Sequence, residues 1–101
     1  MTDIIETIKE FINGIVTKIV DHPKEVEIIV SNTTKSILIQ IKVSKSDIGQ
    51  VIGRNGRTIS AITLITTAVK NTQFIGDKKD VFIEIIEDQK TDFYIKNRNK
   101  I

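Results

Sequence analysis

Val51-Ile52-Gly53-Arg54-Asn55-Gly56-Arg57-Thr58-Ile59 sets two glycines three positions apart between two segments of helical apolar spacing. On the upstream side, Ser44-Lys45-Ser46-Asp47 has the Ser-x-x-Asp form of an N-cap. It opens a short helix that carries Ile48, Val51 and Ile52 before Gly53 ends it. On the downstream side, Ile59, Ile62, Leu64, Ile65, Ala68 and Val69 recur at helical intervals as far as about Lys70. Thr58, Thr63, Thr66 and Thr67 lower the intrinsic propensity there, so packing has to support this helix. The glycines therefore occupy a tight reversal between two helices. Glycine adopts backbone conformations closed to other residues and lets another backbone approach without a Cβ in the way. The first amides of the second helix, from Gly56 or Arg57 onward, lack internal partners and face the loop with partial positive charge. Arg54 and Arg57 add full charges on either side. Together these features describe an anion site suited to a sugar-phosphate backbone, with an affinity that falls as salt rises. A G-x-x-G alone is a weak signal, because glycine at about 7% gives roughly half a chance match per hundred residues. The bland alternative is a helix-turn-helix connection with no ligand, so the surroundings must carry the inference.

Toward the amino terminus, Ile4, Ile5, Ile8, Phe11, Ile12, Ile15, Val16, Ile19 and Val20 fall on one stripe and predict a long amphipathic helix. Asp3 followed by Glu6 resembles a capping box, and Pro23 supplies the stop. Gly14 in mid-helix weakens it by about 1 kcal/mol relative to Ala and points to close packing at that position. Val26 to Val30 and Ile37 to Val43 are rich in β-branched residues and flank a polar turn cluster, which predicts a hairpin. In the second run Ile37, Ile39, Ile41 and Val43 share one face, while Leu38, Gln40 and Lys42 share the other and are available for contact. Beyond the second loop helix, residues 71–79 read as a loop and Val81 to Ile86 as a third strand. The order is helix, strand, strand, helix, helix, strand. It predicts an α+β fold with helices packed on one face of a three-stranded sheet.

A chain of 101 residues fits one domain, and 40% hydrophobic with 28% charged residues is ordinary globular composition. There is no cysteine, which excludes disulfide frameworks, thiolate metal sites and thiol nucleophiles. Glu84, Glu87 and Asp88 have no histidine nearby and read as solvated charge, and the lone His22 precedes Pro23 in a turn, so neither metal nor cofactor is expected. The acidic start Met1-Thr2-Asp3-Ile4-Ile5-Glu6 lacks the positive charge of a signal peptide, and polar residues interrupt every apolar run. No membrane association is expected, and the cytoplasm is the natural compartment. Asn32-Thr33-Thr34 matches a glycosylation sequon but reads as a turn. Net charge is only +2, so any affinity for nucleic acid depends on where the cations sit. They gather from Lys42 to Arg57 and again beyond Asp88, at Lys90, Lys96, Arg98 and Lys100.

The stretch 51–59 resembles the signature loop of KH domains. The element order resembles their bacterial, type II arrangement, and the size resembles the small stand-alone bacterial KH proteins. The resemblance covers roughly Asp3 to Glu87. It implies a KH domain over residues 1–88 with a basic C-terminal extension over 89–101, which exceeds the minimal domain. It further implies that the loop clamps about four nucleotides of single-stranded RNA whose bases lie in a groove between helix and strand. Gly53 and Gly56 would give close backbone approach, Arg54 and Asn55 phosphate or sugar contact, and Arg57 a flanking charge. Ile48, Val51, Ile52 and Ile59 would support the loop; alternation along the facing strand, and not the resemblance, adds Leu38, Gln40 and Lys42 as neighbouring contacts, and Lys45 is a nearby charge. Gln50 departs from the lysine common in relatives. Members are taken to act as RNA chaperones or post-transcriptional regulators, as homodimers or as heterodimers with another KH-domain protein.

Two other function classes compete. A protein-interaction or dimerisation adaptor with weak RNA binding is favoured by the modest charge and by apolar residues on the first helix and tail. An enzyme is disfavoured, since neither G-x-x-x-x-G-K-[ST] nor G-x-G-x-x-G is present and no nucleophile, base and orienting residue group by motif.

Overall fold

The computed structural model describes residues 3–87. Met1, Thr2, Asp88 and the basic extension 89–101, with Phe93, Tyr94 and Ile95, lie outside the described residues.

The apolar stripe of the amino-terminal segment forms α1 (Ile4–Ile19), and Asp3 caps it by accepting from the Ile5 amide at 3.5 Å. Ile8, Ile12 and Val16, spaced one turn apart, are wholly buried, which is the face the 3.6-residue period dictates. Gly14 does not mark a close approach, because a Cβ placed there would meet nothing within 4 Å. The chain then turns through a short 3₁₀ segment, Pro23–Glu25, into β1 (Glu27–Asn32) and β2 (Ser36–Val43). These two strands pair antiparallel with Ile28 opposite Ile41, and β1 runs two residues beyond the expected end at Val30. Within the turn, the Thr33 hydroxyl donates to the Ser36 carbonyl at 2.9 Å and accepts from its amide at 3.0 Å.

After β2 come α2 (Ile48–Ile52) and α3 (Arg57–Gln73), and they return the chain so that β3 (Asp80–Glu87) pairs with β2 in parallel. A parallel neighbour needs such a crossover, and here the helix pair supplies it. The sheet order is β1-β2-β3, and the element order is the α-β-β-α-α-β expected. β2, in the centre, alternates cleanly. Ile37, Ile39, Ile41 and Val43 are buried under the helices, while Ser36, Leu38, Gln40 and Lys42 are half-buried on the outer face. α1 contributes Ile8, Ile12 and Val16 to this core and α2 contributes Val51. Each such isoleucine side chain is worth about 1.5–3 kcal/mol of burial.

α3 continues three residues past the expected Lys70, so the connection to β3 is shorter than the expected loop of residues 71–79. Lys70 is the reason. Its side chain is 2% exposed, and its ammonium donates to the Asp77 carbonyl at 3.0 Å and faces the Asp77 carboxylate at 3.4 Å. The last helical turn is thereby clasped by the loop that follows it.

Candidate nucleic-acid interface

The loop begins where α2 runs out after five residues. Gly53 stops it with φ 78° and ψ 171°, a backbone region essentially closed to side-chain-bearing residues, while its amide still donates to the Gly49 carbonyl at 2.8 Å. A Cβ at Gly53 would sit 2.7 Å from the Thr58 Cβ and 2.8 Å from the Thr58 nitrogen, so the first turn of α3 lies directly against the loop. Arg54–Gly56 forms a 3₁₀ turn closed by a 3.1 Å bond from the Gly56 amide to the Gly53 carbonyl. Asn55 has φ 56° in that turn, a left-handed conformation that Asn tolerates better than most residues. Gly56 has φ 74° and stands at the start of α3 with no side chain capping the first amides. Three positive φ angles in four residues fold the backbone into a compact ledge.

Arg54, Asn55 and Arg57 are exposed on that ledge. Among the described residues, neither arginine is engaged in an ion pair. Guanidinium charge, uncapped helix amides and bare backbone thus converge on one small surface, an arrangement that attracts anions. Beneath it Val51 is wholly buried, and Ile48 and Ile59 pack against the core. Ile52, the fourth expected support, is 37% exposed and offers an apolar surface beside Gly53 instead.

What holds this unit in place is Asp47, and its role differs from the one its spacing predicts. Ser44 does not cap the helix with its side chain. Lys45–Asp47 is a 3₁₀ turn, and the Ser44 hydroxyl lies 3.3 Å from that of Ser46. The wholly buried Asp47 carboxylate reaches back to the end of α1, where it accepts from the amides of Asp21 at 3.2 Å and His22 at 2.9 Å. His22 Nδ1 lies 3.2 Å away. Burial pushes this carboxyl up, but the two amides and the imidazole outweigh it and hold it below the ordinary value of 3.8. Gln50 adds a second tie by donating from Nε2 to the Ile19 carbonyl at 3.2 Å. The departure from lysine at this position thereby has a structural use. His22, which the sequence leaves without a role, belongs to this anchor. No local pattern reveals it, because the partners lie in separate elements.

Of the expected site residues, Gly53, Arg54, Asn55, Gly56 and Arg57 come together in the loop, and the exposed Lys45 stands on the turn that leads into α2. Gln40 and Lys42 do not join them. Both point to the sheet face opposite the helices, and Gln40 donates to Glu84 at 2.9 Å. The Lys70 and Asp77 pair lies at the far end of α3, about 20 Å along the helix from Arg57. Among the described residues no cluster of His, Cys, Asp and Glu is suited to a metal, and no helix is long and apolar enough to cross a membrane.

Comparison with known proteins gives a family. The model described as KhpA/KhpB, KH domain, matches residues 9–85. RNA-binding protein KhpA of Listeria monocytogenes is 42% identical over 79 residues, which cover 78% of this chain and 99% of that protein. Its namesake in Chlamydia muridarum is 38% identical over 81 residues, covering 80% of this chain and 99% of the other. The one in Thermotoga maritima is 33% identical over 78 residues, covering 77% and 97%. The match embraces the whole of the helix-loop-helix unit built around Gly53 and Gly56, and the chain belongs to the KhpA/KhpB KH-domain family.

Proposed function

We propose that the chain binds single-stranded RNA on the ledge from Gly53 to Arg57, as a non-catalytic RNA chaperone or post-transcriptional regulator in the cytoplasm. The observation that carries this reading is the bare backbone corner at Gly53 and Gly56, flanked by two exposed guanidinium groups without an ion-pair partner among the described residues and by the uncapped start of α3. The relatives' printed name, RNA-binding protein, agrees with it. In this reading the sugar-phosphate chain rests on the glycines, Arg54, Asn55 and Arg57 contact phosphate or sugar, Lys45 adds a nearby charge, and the bases turn toward Ile52. Gln40 and Lys42 stay outside the contact. Replacing Arg54 and Asn55 together by Asp tests it, because both side chains are exposed and surface substitutions of this kind change stability little. The double variant is expected to lose retention of single-stranded RNA in a filter assay while keeping its circular dichroism, and unchanged retention counts against the reading.

Pairing with a second KH domain, either another copy or a different chain, is part of the same proposal. Its support is an exposed apolar stripe on α3 formed by Ala61, Leu64, Ile65 and Ala68, with Leu64 71% and Ile65 48% exposed. Solvent-facing residues at this spacing are a seam for a partner helix. The adaptor reading, motivated in the sequence by the modest charge and by the apolar residues of the first helix and tail, also gains support from this stripe. Sedimentation with and without RNA separates the two, since a tight oligomer that RNA does not shift favours the adaptor.

A further inference from the structure

The pole of the fold opposite the ledge gathers a second set of cations, which the surface from Gly53 to Arg57 does not use. Ser36 of β2 pairs with Asp80 of β3 in the parallel register, so the turn before one strand and the loop before the other lie side by side. Lys35 and Lys79, each one residue upstream of that pair, are therefore neighbours. With Thr34, Gly76, Asp77 and Lys78 they line an open cavity of about 350 Å3. Lys79 donates from Nζ to Asn32 Oδ1 at 2.7 Å, which fixes the ammonium on a neutral partner and leaves its charge uncompensated. Asp77, the one acid of the lining, is already matched by Lys70, which is 2% exposed. Lys35 and Lys78 are exposed and, among the described residues, make no ion pair. Three positive charges thus converge on one concavity whose only acid is spent elsewhere. Like charges brought side by side at the ends of paired strands cost stability, so packing supplies no reason for them.

We infer that this cradle is a second phosphate site, which engages the backbone of a single-stranded RNA beyond the nucleotides held on the ledge; the inference rests on the RNA-binding reading of that ledge. Ammonium groups, the Thr34 hydroxyl and the bare backbone of Gly76, whose φ is 95°, are phosphate-binding chemistry. The lining has no aromatic ring on which a base could stack, so the contact is indifferent to sequence. Asp77 is clasped to Lys70, about 20 Å along α3 from Arg57, which corresponds to about six nucleotides at a stacked rise of about 3.4 Å each. A strand has to run well past the four or so nucleotides of the ledge before it arrives here. Dependence on RNA length is therefore the signature of the site.

The test combines Lys35→Gln with Lys78→Gln in the full chain and leaves Lys79 on Asn32, since the two exposed lysines can be neutralised with little effect on stability. Binding of labelled oligouridine of about six and about 20 nucleotides is followed by fluorescence anisotropy between about 50 and 200 mM salt. For the longer strand the slope of log affinity against log salt is expected to flatten by about 1.4, at about 0.7 for each cation removed from a phosphate. For the shorter strand it is expected to stay unchanged. Lys35→Arg with Lys78→Arg is expected to keep the native slope, because the charges remain. Lys9→Gln with Lys18→Gln removes the same net charge from exposed positions of α1 and is expected to change neither strand. An unaltered slope for the longer strand overturns the proposal. So does an equal change for both lengths, or an equal flattening by the α1 variant. The ledge is scored by the Arg54 and Asn55 double variant on the shorter strand, which does not reach the cradle, so failure of one reading is told apart from failure of the other.

Discussion

The buried carboxylate of Asp47 and the backbone amide of His22, 25 residues apart in sequence, meet at 2.9 Å and join the start of the loop-bearing helix to the end of α1. α2 is too short to hold its own position, since an isolated helix of five residues does not persist in water. Its place comes from Val51 in the core and from the bonds made by Asp47 and Gln50. The ledge at Gly53 to Gly56 is thus oriented by contacts on the opposite side of α2 from the loop.

Asp47→Asn is expected to lower the urea midpoint at neutral pH, because it removes the charge that the two amides and the imidazole favour. The folded carboxyl titrates below its ordinary value of 3.8, so its contribution is complete above that value and is lost as pH falls through the lower, folded value. The gap between native chain and variant is accordingly widest above pH 3.8 and closes on acidification. Urea unfolding at a series of pH values measures it, and a gap that does not change with pH refutes the assignment.

Gly53 and Gly56 both have positive φ, yet they differ in surroundings, and the difference is measurable. At Gly53 a methyl group would run into Thr58 as well as strain the backbone, and Gly53→Ala is expected to cost about 3 kcal/mol. At Gly56 a methyl group meets open space, and Gly56→Ala bears only the left-handed penalty of about 1–2 kcal/mol. Chemical denaturation of the two variants is expected to rank them in that order. Equal losses would mean that the close approach of Thr58 contributes nothing.

The periodic part of the fold was legible from residue pattern alone. The isoleucines of α1 and the alternation of Ile37, Ile39, Ile41 and Val43 on β2 announce their elements, because burial of one face imposes the period. The glycine reversal was legible too, since so few residues can follow one short helix and precede another. Pairings between distant residues were not. Asp47 read as half of a local cap, because Ser-x-x-Asp carries the same signature whether its carboxylate turns to its own helix or to another element. Lys70 read as the end of a helix, because nothing local says that a lysine will be buried against Asp77. The outer-face position of Gln40 and Lys42 was visible in the alternation, but which face the loop would share depended on the side taken by the crossover.

The Lys70 and Asp77 pair closes the end of α3 and is expected to behave as a coupled unit. Lys70 is 2% exposed and the Asp77 side chain 19% exposed, so removing the acid leaves a buried ammonium with, among the described residues, the Asp77 carbonyl alone to accept from it. The Asp77 carboxylate also accepts from the Lys79 amide at 2.9 Å, which orders the approach to β3. Asp77→Ala is expected to cost about 1–3 kcal/mol. Adding Lys70→Met to that variant is expected to return part of the loss, since the uncompensated charge goes with it. A double variant whose loss equals the sum of the single losses would show that the pair acts independently.

Arg57 and Lys42 carry the same charge on opposite sides of the fold, and salt dependence separates a phosphate contact from a solvated cation. Each cation that neutralises a phosphate of a single strand contributes about 0.7 to the slope of log affinity against log salt. Arg57 is exposed at the first position of α3, beside the glycines, whereas Lys42 projects from the outer face of β2. Arg57→Gln is therefore expected to weaken single-stranded RNA binding across sequences and to flatten the slope by about 0.7, read between about 50 and 200 mM salt. Lys42→Gln is expected to leave both unchanged, because neutralising a cation that meets no phosphate releases no counterion. A flattened slope for Lys42→Gln with an unaltered one for Arg57→Gln would move the RNA from the ledge to the sheet, and with it the site.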